Sequence, residues 1–339
     1  MIMLSHDPGI IEINHWEETM KSTVKTLLSA TAIAVAFGAS AFAADKGPYG
    51  YSSNGLSFPF AAAVAKGFSD AASEAGAEAI VLDAQGDILK QTNDIDDLLA
   101  QGVKGIAVMP LDSAVATAWV DKATEAGVPV VASASMIGDT KTRPIDDVYE
   151  NLAALVTQQE IAAGREVGLL AARLLKGTDN AKIAVIEGAA GYAEVQQRTE
   201  GFEAGMKEAG QTYEIVAAQP GDWTAEKGEA ACQNILASNP GIDLFFNQAD
   251  DMVVGCARAV SSANSEAKLV GFGGSKLAIA AIKEGSVDGT VCYKPEEIGR
   301  ISFKVLHDVN NGTAHKEEFI TYPTPGVSID NVDECVGQW

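Results

Sequence analysis

Basic side chains are scarce in this 339-residue chain, where 24 Lys and Arg stand against 46 Asp and Glu and give a formal net charge of −22. A field of that sign disfavours nucleic acid and anionic lipid as partners and keeps the surface solvated. Histidine is rare as well: of four, only His307 and His315 lie beyond residue 15. The four cysteines show no Cys-x-x-Cys spacing, so a metal has no ligand framework. The stretch Gly271-Phe272-Gly273-Gly274-Ser275-Lys276 lacks the G-x-x-x-x-G-K-[ST] spacing of a phosphate loop, and no G-x-S-x-G nucleophile elbow occurs. Without a catalytic constellation, no enzyme activity, cofactor or metal is expected.

What the chain does carry begins at Met20. Lys21 and Lys25 precede an uncharged stretch from Thr26 to Ala44 that contains Ala41-Phe42-Ala43, the small-x-small pattern read by signal peptidase. Ser29, Thr31, Gly38 and Ser40 dilute the run, and no basic stop-transfer cluster follows it. Residues 20–43 read as a cleaved signal peptide and the protein as periplasmic, with no Cys at the cleavage point to take a lipid. Residues 1–19 spoil a positive n-region with Asp7, Glu12, Glu17 and Glu18, and are expected to be an upstream gene-model extension.

Residues 44–339 form an expected mature chain of 296 residues, long enough for two domains, with a net charge of about −20. Short β-rich runs alternate with Ala-rich helical patterns, which predicts an α/β fold with parallel sheets and helical crossovers. Strands are predicted at 79–82, 105–109 and 128–131, with helices near 60–75, 88–101 and 113–126. Helix 88–101 places Ile88, Ile95, Leu98 and Leu99 on one side, and Gly76 and Gly127 end helices. The second half repeats the scheme, with strands at 182–186, 213–216, 242–246, 268–272 and 287–291. Its helices lie near 160–175, 193–209, 224–238, 249–261 and 276–284. A last helix near 296–310 precedes a tail rich in Pro, Thr and Asn, and 134–158 reads as the transition between halves. Two such halves predict two doubly wound lobes with a cleft.

In an exported protein, Cys232, Cys256, Cys292 and Cys335 suggest disulfides, with three possible pairings. A right-handed sheet of order 2-1-3 sets helices 224–238 and 249–261 side by side and brings Cys232 level with Cys256. That pairing is favoured and leaves Cys292 for Cys335.

Several stretches together resemble the ribose-binding-like periplasmic sugar-binding proteins of ABC importers, the type I periplasmic binding protein family. In the first half these are Phe58-Pro59-Phe60, Val81-Leu82-Asp83-Ala84-Gln85, Met109-Pro110-Leu111-Asp112-Ser113 and Gly127-Val128-Pro129-Val130. Later come Arg198-Thr199-Glu200-Gly201-Phe202, Gln219-Pro220-Gly221-Asp222-Trp223, Asn247-Gln248-Ala249-Asp250-Asp251-Met252 and Val270-Gly271-Phe272. The resemblance implies a three-segment hinge, an N-terminal lobe of 45–156 plus 294–321, and a C-terminal lobe of 157–293 plus 322–339. It also implies a sugar clamped between strand C-termini, delivery to an ABC importer permease, and a monomer.

Carried over residue by residue, the resemblance implies that Asn54, Phe58 and Phe60 line the pocket and that Trp223 stacks on the ligand. Where ribose binders carry an Asp-Arg pair this chain has Ala134-Ser135. A second arginine position becomes Gln196, an Asn position Ala249, an acidic position Gly273 and a Gln position Tyr293. Ser135, Gln158, Gln159, Gln196 and Gln248, with Asp250 nearby, are then the expected hydrogen-bonders. Such a pocket, less charged and with the extra Tyr293 plane, suits a small neutral sugar or polyol (a pentose, deoxy sugar or sugar alcohol) rather than ribose. Lys276 at a helix start is read as solvated.

A repressor effector domain shares this fold, but a signal peptide stands where its DNA-binding helices would be. The alternative reading is a sugar-sensing module that docks to a chemoreceptor or sensor kinase. N-terminal sequencing of the secreted protein is expected to begin at Ala44; a start within residues 1–19 would contradict the leader assignment.

Overall fold

The computed structural model describes residues 47–140 and 142–339; the leader and upstream segment lie outside them. The first half runs β1 (Pro48–Ser53), α1 (Pro59–Glu74), β2 (Glu78–Asp83), α2 (Ile88–Ala100), β3 (Ile106–Val108), α3 (Ala116–Glu125), β4 (Val130–Ser133) and β5 (Leu152–Val156). The second runs α4 (Glu160–Leu174), β6 (Ala181–Glu187), α5 (Ala193–Glu208), β7 (Tyr213–Pro220), α6 (Ala225–Ser238), β8 (Leu244–Asn247), α7 (Asp250–Ser262), β9 (Lys268–Val270), α8 (Lys276–Glu284) and β10 (Gly289–Val291). Then come α9 (Pro295–Asn310), β11 (Glu318–Ile320), β12 (Gly326–Ser328) and a 3₁₀ turn at Val332–Glu334.

The strands form two sheets of matching order, β2-β1-β3-β4-β5-β11 and β7-β6-β8-β9-β10-β12. Every pairing is parallel except β10 with β12. The chain passes between the sheets three times, after β5, β10 and β11. This is the two-lobed, doubly wound α/β fold that the alternating pattern predicts. Helices cover both faces of each sheet. Tyr49, Tyr51, Phe68 and Phe303 pack beneath α1 and α9, and Phe202 stacks on Phe246 at 4.4 Å beneath α4 and α5.

The segment 134–158 is more than a transition, because it contains β5. All five residues of that strand, Leu-Ala-Ala-Leu-Val, are buried. A strand covered on both faces shows no alternation, so periodicity passed over it. The tail likewise contributes an edge strand to each sheet.

Cys232 of α6 and Cys256 of α7 are bridged with Cα atoms 5.4 Å apart, and Cys292 is bridged to Cys335 at 5.7 Å. The first bridge joins the neighbouring helices that crossover handedness sets together. The second fastens the chain after β10 to the tail.

Glycines set the spacing between α4 and α5. A Cβ at Gly164 would lie 2.5 Å from the Arg198 carbonyl oxygen, and one at Gly201 would lie 2.1 Å from that of Ile161. The backbones therefore touch, and the N-terminal turns of both helices meet at the cleft. At Gly168 a Cβ would meet the Phe202 carbonyl oxygen at 2.2 Å, so Gly168→Ala is expected to destabilise the fold by about 1–3 kcal/mol in urea unfolding. An unchanged midpoint would show that the helices can separate freely.

Candidate functional site

Loops at the C-terminal ends of the strands in both sheets converge on one cavity of about 100 Å³. This is where ligands bind in doubly wound sheets, because the loops there carry variable side chains on a rigid frame. From the first lobe come Asn54 after β1, Phe58 and Phe60 at the start of α1, Met109 after β3, and Ala134 and Ser135 after β4, while Gln158 follows β5 where the chain crosses between the sheets. The second lobe supplies Tyr192, Glu194 and Arg198 around the start of α5, Trp223 after β7, Asp250 at the start of α7, and Tyr293 after β10. The tail adds Trp339.

Arg198 organises the second-lobe wall. Its Nε donates to Glu160 Oε2 at 2.8 Å, its second terminal nitrogen donates to Oε1 at 3.0 Å, and its first donates to the Gln248 carbonyl oxygen. Tyr293 also donates to Glu160, at 2.6 Å, and so does the Gln158 amide. Around the guanidinium lie the rings of Phe272, Trp223 and Tyr293, with centroids 4.6, 5.4 and 5.8 Å away. Burial works against the Arg198 charge, but Glu160 more than restores it and holds the group above its ordinary range. Three of its five N–H donors are engaged by these bonds.

Contacts also run from lobe to lobe. Ser135 donates to Glu194 Oε1 at 2.5 Å, and the side chains of Asn54 and Tyr192 are hydrogen-bonded to each other. Phe60 lies edge-on to Tyr293, with ring centroids 6.3 Å apart. Burial, then repulsion from Glu160, pushes the Glu194 carboxyl upward. Asn54 Oδ1 is buried with no hydrogen-bond partner, and its residue lines the cavity. A buried acceptor left unmade costs about 1–3 kcal/mol.

Trp223 stands on an unusual backbone. Asp222 and Trp223 both have positive φ, at 46° and 64°, a region that bulky residues avoid. Gly188 makes room for the ring, since a Cβ there would fall 1.8 Å from it. Strain of this kind, held by the surrounding structure, turns the indole toward Tyr192 and the cavity.

Of the residues expected to face the ligand, Asn54, Phe58, Phe60, Ser135, Trp223, Asp250 and Tyr293 line the cavity. Three glutamines do not. Gln159 is the N-cap of α4 and accepts from the Ala162 N–H, while Gln158 faces the cavity instead. Gln196 is exposed, because two residues along a helix turn a side chain away from the face that carries Glu194 and Arg198. Gln248 is buried, and its amide is spent on Gly188, Val195 and Thr199. Asp112 accepts from the Ala114 and Val115 N–H groups in the turn before α3.

The expectation of a weakly charged pocket is therefore corrected: Arg198, Glu194 and Asp250 all stand on its wall. Arg198 and Glu194 went unassigned, although the stripe Glu194, Arg198, Gly201, Gly205 marks the buried face of α5. Tyr192 and Trp339 carried no comparable signal. Among the described residues, no group of three or more His, Cys, Asp or Glu is arranged to hold a metal.

Asp250 accepts from the Thr290 hydroxyl at 2.7 Å and the Ser275 N–H at 2.6 Å. Burial lifts its carboxyl from 3.8 to about 6, the two donors offsetting only part of the rise. The folded chain thus keeps a proton that the unfolded chain releases, so stability falls as pH rises from about 4 to about 6 and then levels. Asp250→Asn removes this titration. In urea unfolding, the stability of wild type relative to the variant is expected to be greater at about pH 4 than at about pH 7 by about 2–3 kcal/mol. An equal difference at both pH values would place the Asp250 pKa in its ordinary range.

The family described as "Periplasmic binding protein domain" matches residues 49–314. The chain is 32% identical over 266 residues to the ribose import binding protein RbsB of Bacillus subtilis (strain 168), covering 78% of this chain and 81% of that protein. It is 30% identical over 284 residues to the D-allose-binding periplasmic protein of Escherichia coli (strain K12), covering 83% and 89%. The solved structure of the Caulobacter myo-inositol binding protein bound to myo-inositol is similar with a TM-score of 0.75 and 26% identity, covering 85% of this chain and 95% of that one. With its paired sheets and interlobe cavity, the chain belongs to the periplasmic binding protein family.

Proposed function

We propose that this protein captures a small neutral sugar or polyol between its lobes, outside the cytoplasm, and delivers it unchanged to an ABC importer permease. It acts as a monomeric binding protein and not as an enzyme. The observation that carries the reading is the aromatic-walled cavity between the two lobes, with the buried Asn54 Oδ1 unpaired in its wall. Flat rings cover the C–H faces of a sugar, and fixed polar atoms pair with its hydroxyls. Relatives named for ribose and allose, and a solved structure holding myo-inositol, support this ligand class.

Electrostatics favour a neutral ligand. The Arg198 charge is already neutralised by Glu160, so it offers N–H donors without a free cation for an anionic group. Glu194 and Asp250 would repel such a group. Hydroxyls, which both donate and accept, suit a wall of mixed donors and acceptors. Closure would exclude water from these contacts, so a mismatched hydroxyl is costly and selectivity follows. The importer would then recognise the closed form, favoured because the ligand touches both lobes.

Titration calorimetry with pentoses, deoxyhexoses, hexoses and polyols is expected to find at least one saturable ligand. Trp223→Ala should weaken it by about 1–3 kcal/mol through lost stacking area. No binding across the panel would refute the proposal, and unchanged affinity in the variant would remove Trp223 from the site.

A further inference from the structure

The polypeptide after the 3₁₀ turn is fixed at several points and runs against the cavity. Cys335 is bridged to Cys292, the neighbour of the cavity-lining Tyr293. Gly337 lies so close to α8 that a Cβ there would stand 2.7 Å from the Lys276 nitrogen. Gln338 Oε1 accepts from the Glu296 N–H at 2.9 Å, at the start of α9, which packs on the first lobe. The Trp339 carbonyl oxygen accepts from the Lys276 N–H at 2.8 Å, in the second lobe. The tail thus spans from lobe to lobe beside the cleft.

Its indole is placed by these fixings. Trp339 lines the cavity and meets Phe60 edge-on, with ring centroids 5.5 Å apart and planes at 89°. On the other side it lies against Gly273, where φ is 145° and a Cβ would fall 2.8 Å from Trp339 Cζ2. Gly273, which stands where the resemblance places an acidic residue, therefore makes room for the ring. An aromatic plane has taken the place of a carboxylate, and such a plane favours an apolar C–H face over a hydroxyl.

We propose that Trp339 is a ligand-contacting residue that presents its ring to a C–H face of the bound molecule, and that the Cys292–Cys335 bridge holds it in position. This rests on the sugar-capture reading above. The bridge matters because a free tail would have to be ordered on every binding event, whereas a tethered one is ordered beforehand. Trp339 makes the contact, and Cys335 and Gln338 are positioning residues.

The test is calorimetry on the full chain with D-ribose, D-allose, D-fucose and myo-inositol as probes. The proteins compared are wild type, Trp339→Ala, Trp339→Phe and the double variant Cys292→Ser/Cys335→Ser, each first shown to unfold cooperatively. For a probe that binds wild type, Trp339→Ala is expected to weaken binding at least about tenfold and Trp339→Phe to restore most of the loss. The double variant should weaken it in the same direction. If Trp339→Ala does not fold, Trp339→Leu takes its place. Equal or tighter binding without the aromatic ring overturns the contact, and equal binding by a folded double variant overturns the tether. If wild type binds none of the probes, the sugar-capture reading fails for these ligands and takes the present proposal with it.

Discussion

The cavity depends on one buried charge. Arg198 sits on the second-lobe wall with little access to water, and a guanidinium in such a place is tolerated only when paired and hydrogen-bonded. Glu160 meets this demand with both oxygens, and the same carboxylate receives Tyr293 and Gln158. One ion pair thereby fixes residues from the end of β5, from α4 and α5, and from the end of β10. It exists because glycines let α4 and α5 touch, which places Glu160 beside Arg198. The helix seam is thus part of the pocket, although no glycine of the seam lines it.

Apart from Ala193 of α5, which packs into the first lobe's core, the two lobes meet mainly through polar and aromatic contacts. Ser135 with Glu194, Asn54 with Tyr192, and Phe60 with Tyr293 and Trp339 join them at the cavity. A handful of such contacts can be exchanged for contacts to a ligand without unfolding either lobe. This is the physical requirement for a clamp: two rigid bodies, each with its own core, and an interface weak enough that a bound molecule decides it.

The fold was legible because parallel strands, Ala-rich helices and glycine stops alternate from residue 47 onward. Handedness then brought Cys232 beside Cys256. β5 escaped because a strand buried on both faces has no period to read. Of the residues the resemblance points to, Asn54, Ser135, Trp223 and Tyr293 after strands and Phe58, Phe60 and Asp250 at helix starts line the cavity. Gln248 directly follows β8, yet its amide is spent on Gly188, Val195 and Thr199. Gln159 and Gln196 sit one and two positions from the cavity-facing Gln158 and Arg198, and on a helix that offset turns the side chain elsewhere. Trp339 was hidden for another reason: the Cys292–Cys335 bridge was legible, but the hydrogen bonds that aim the ring at the cavity are encoded by no local pattern.

Small-angle X-ray scattering of residues 44–339, with and without a sugar or polyol that binds them, tests the clamp most directly. Closure of two lobes on a ligand predicts a smaller radius of gyration in the presence of the ligand and no change with a non-binding sugar. A ligand that binds saturably yet leaves the radius unchanged would contradict ligand-driven closure.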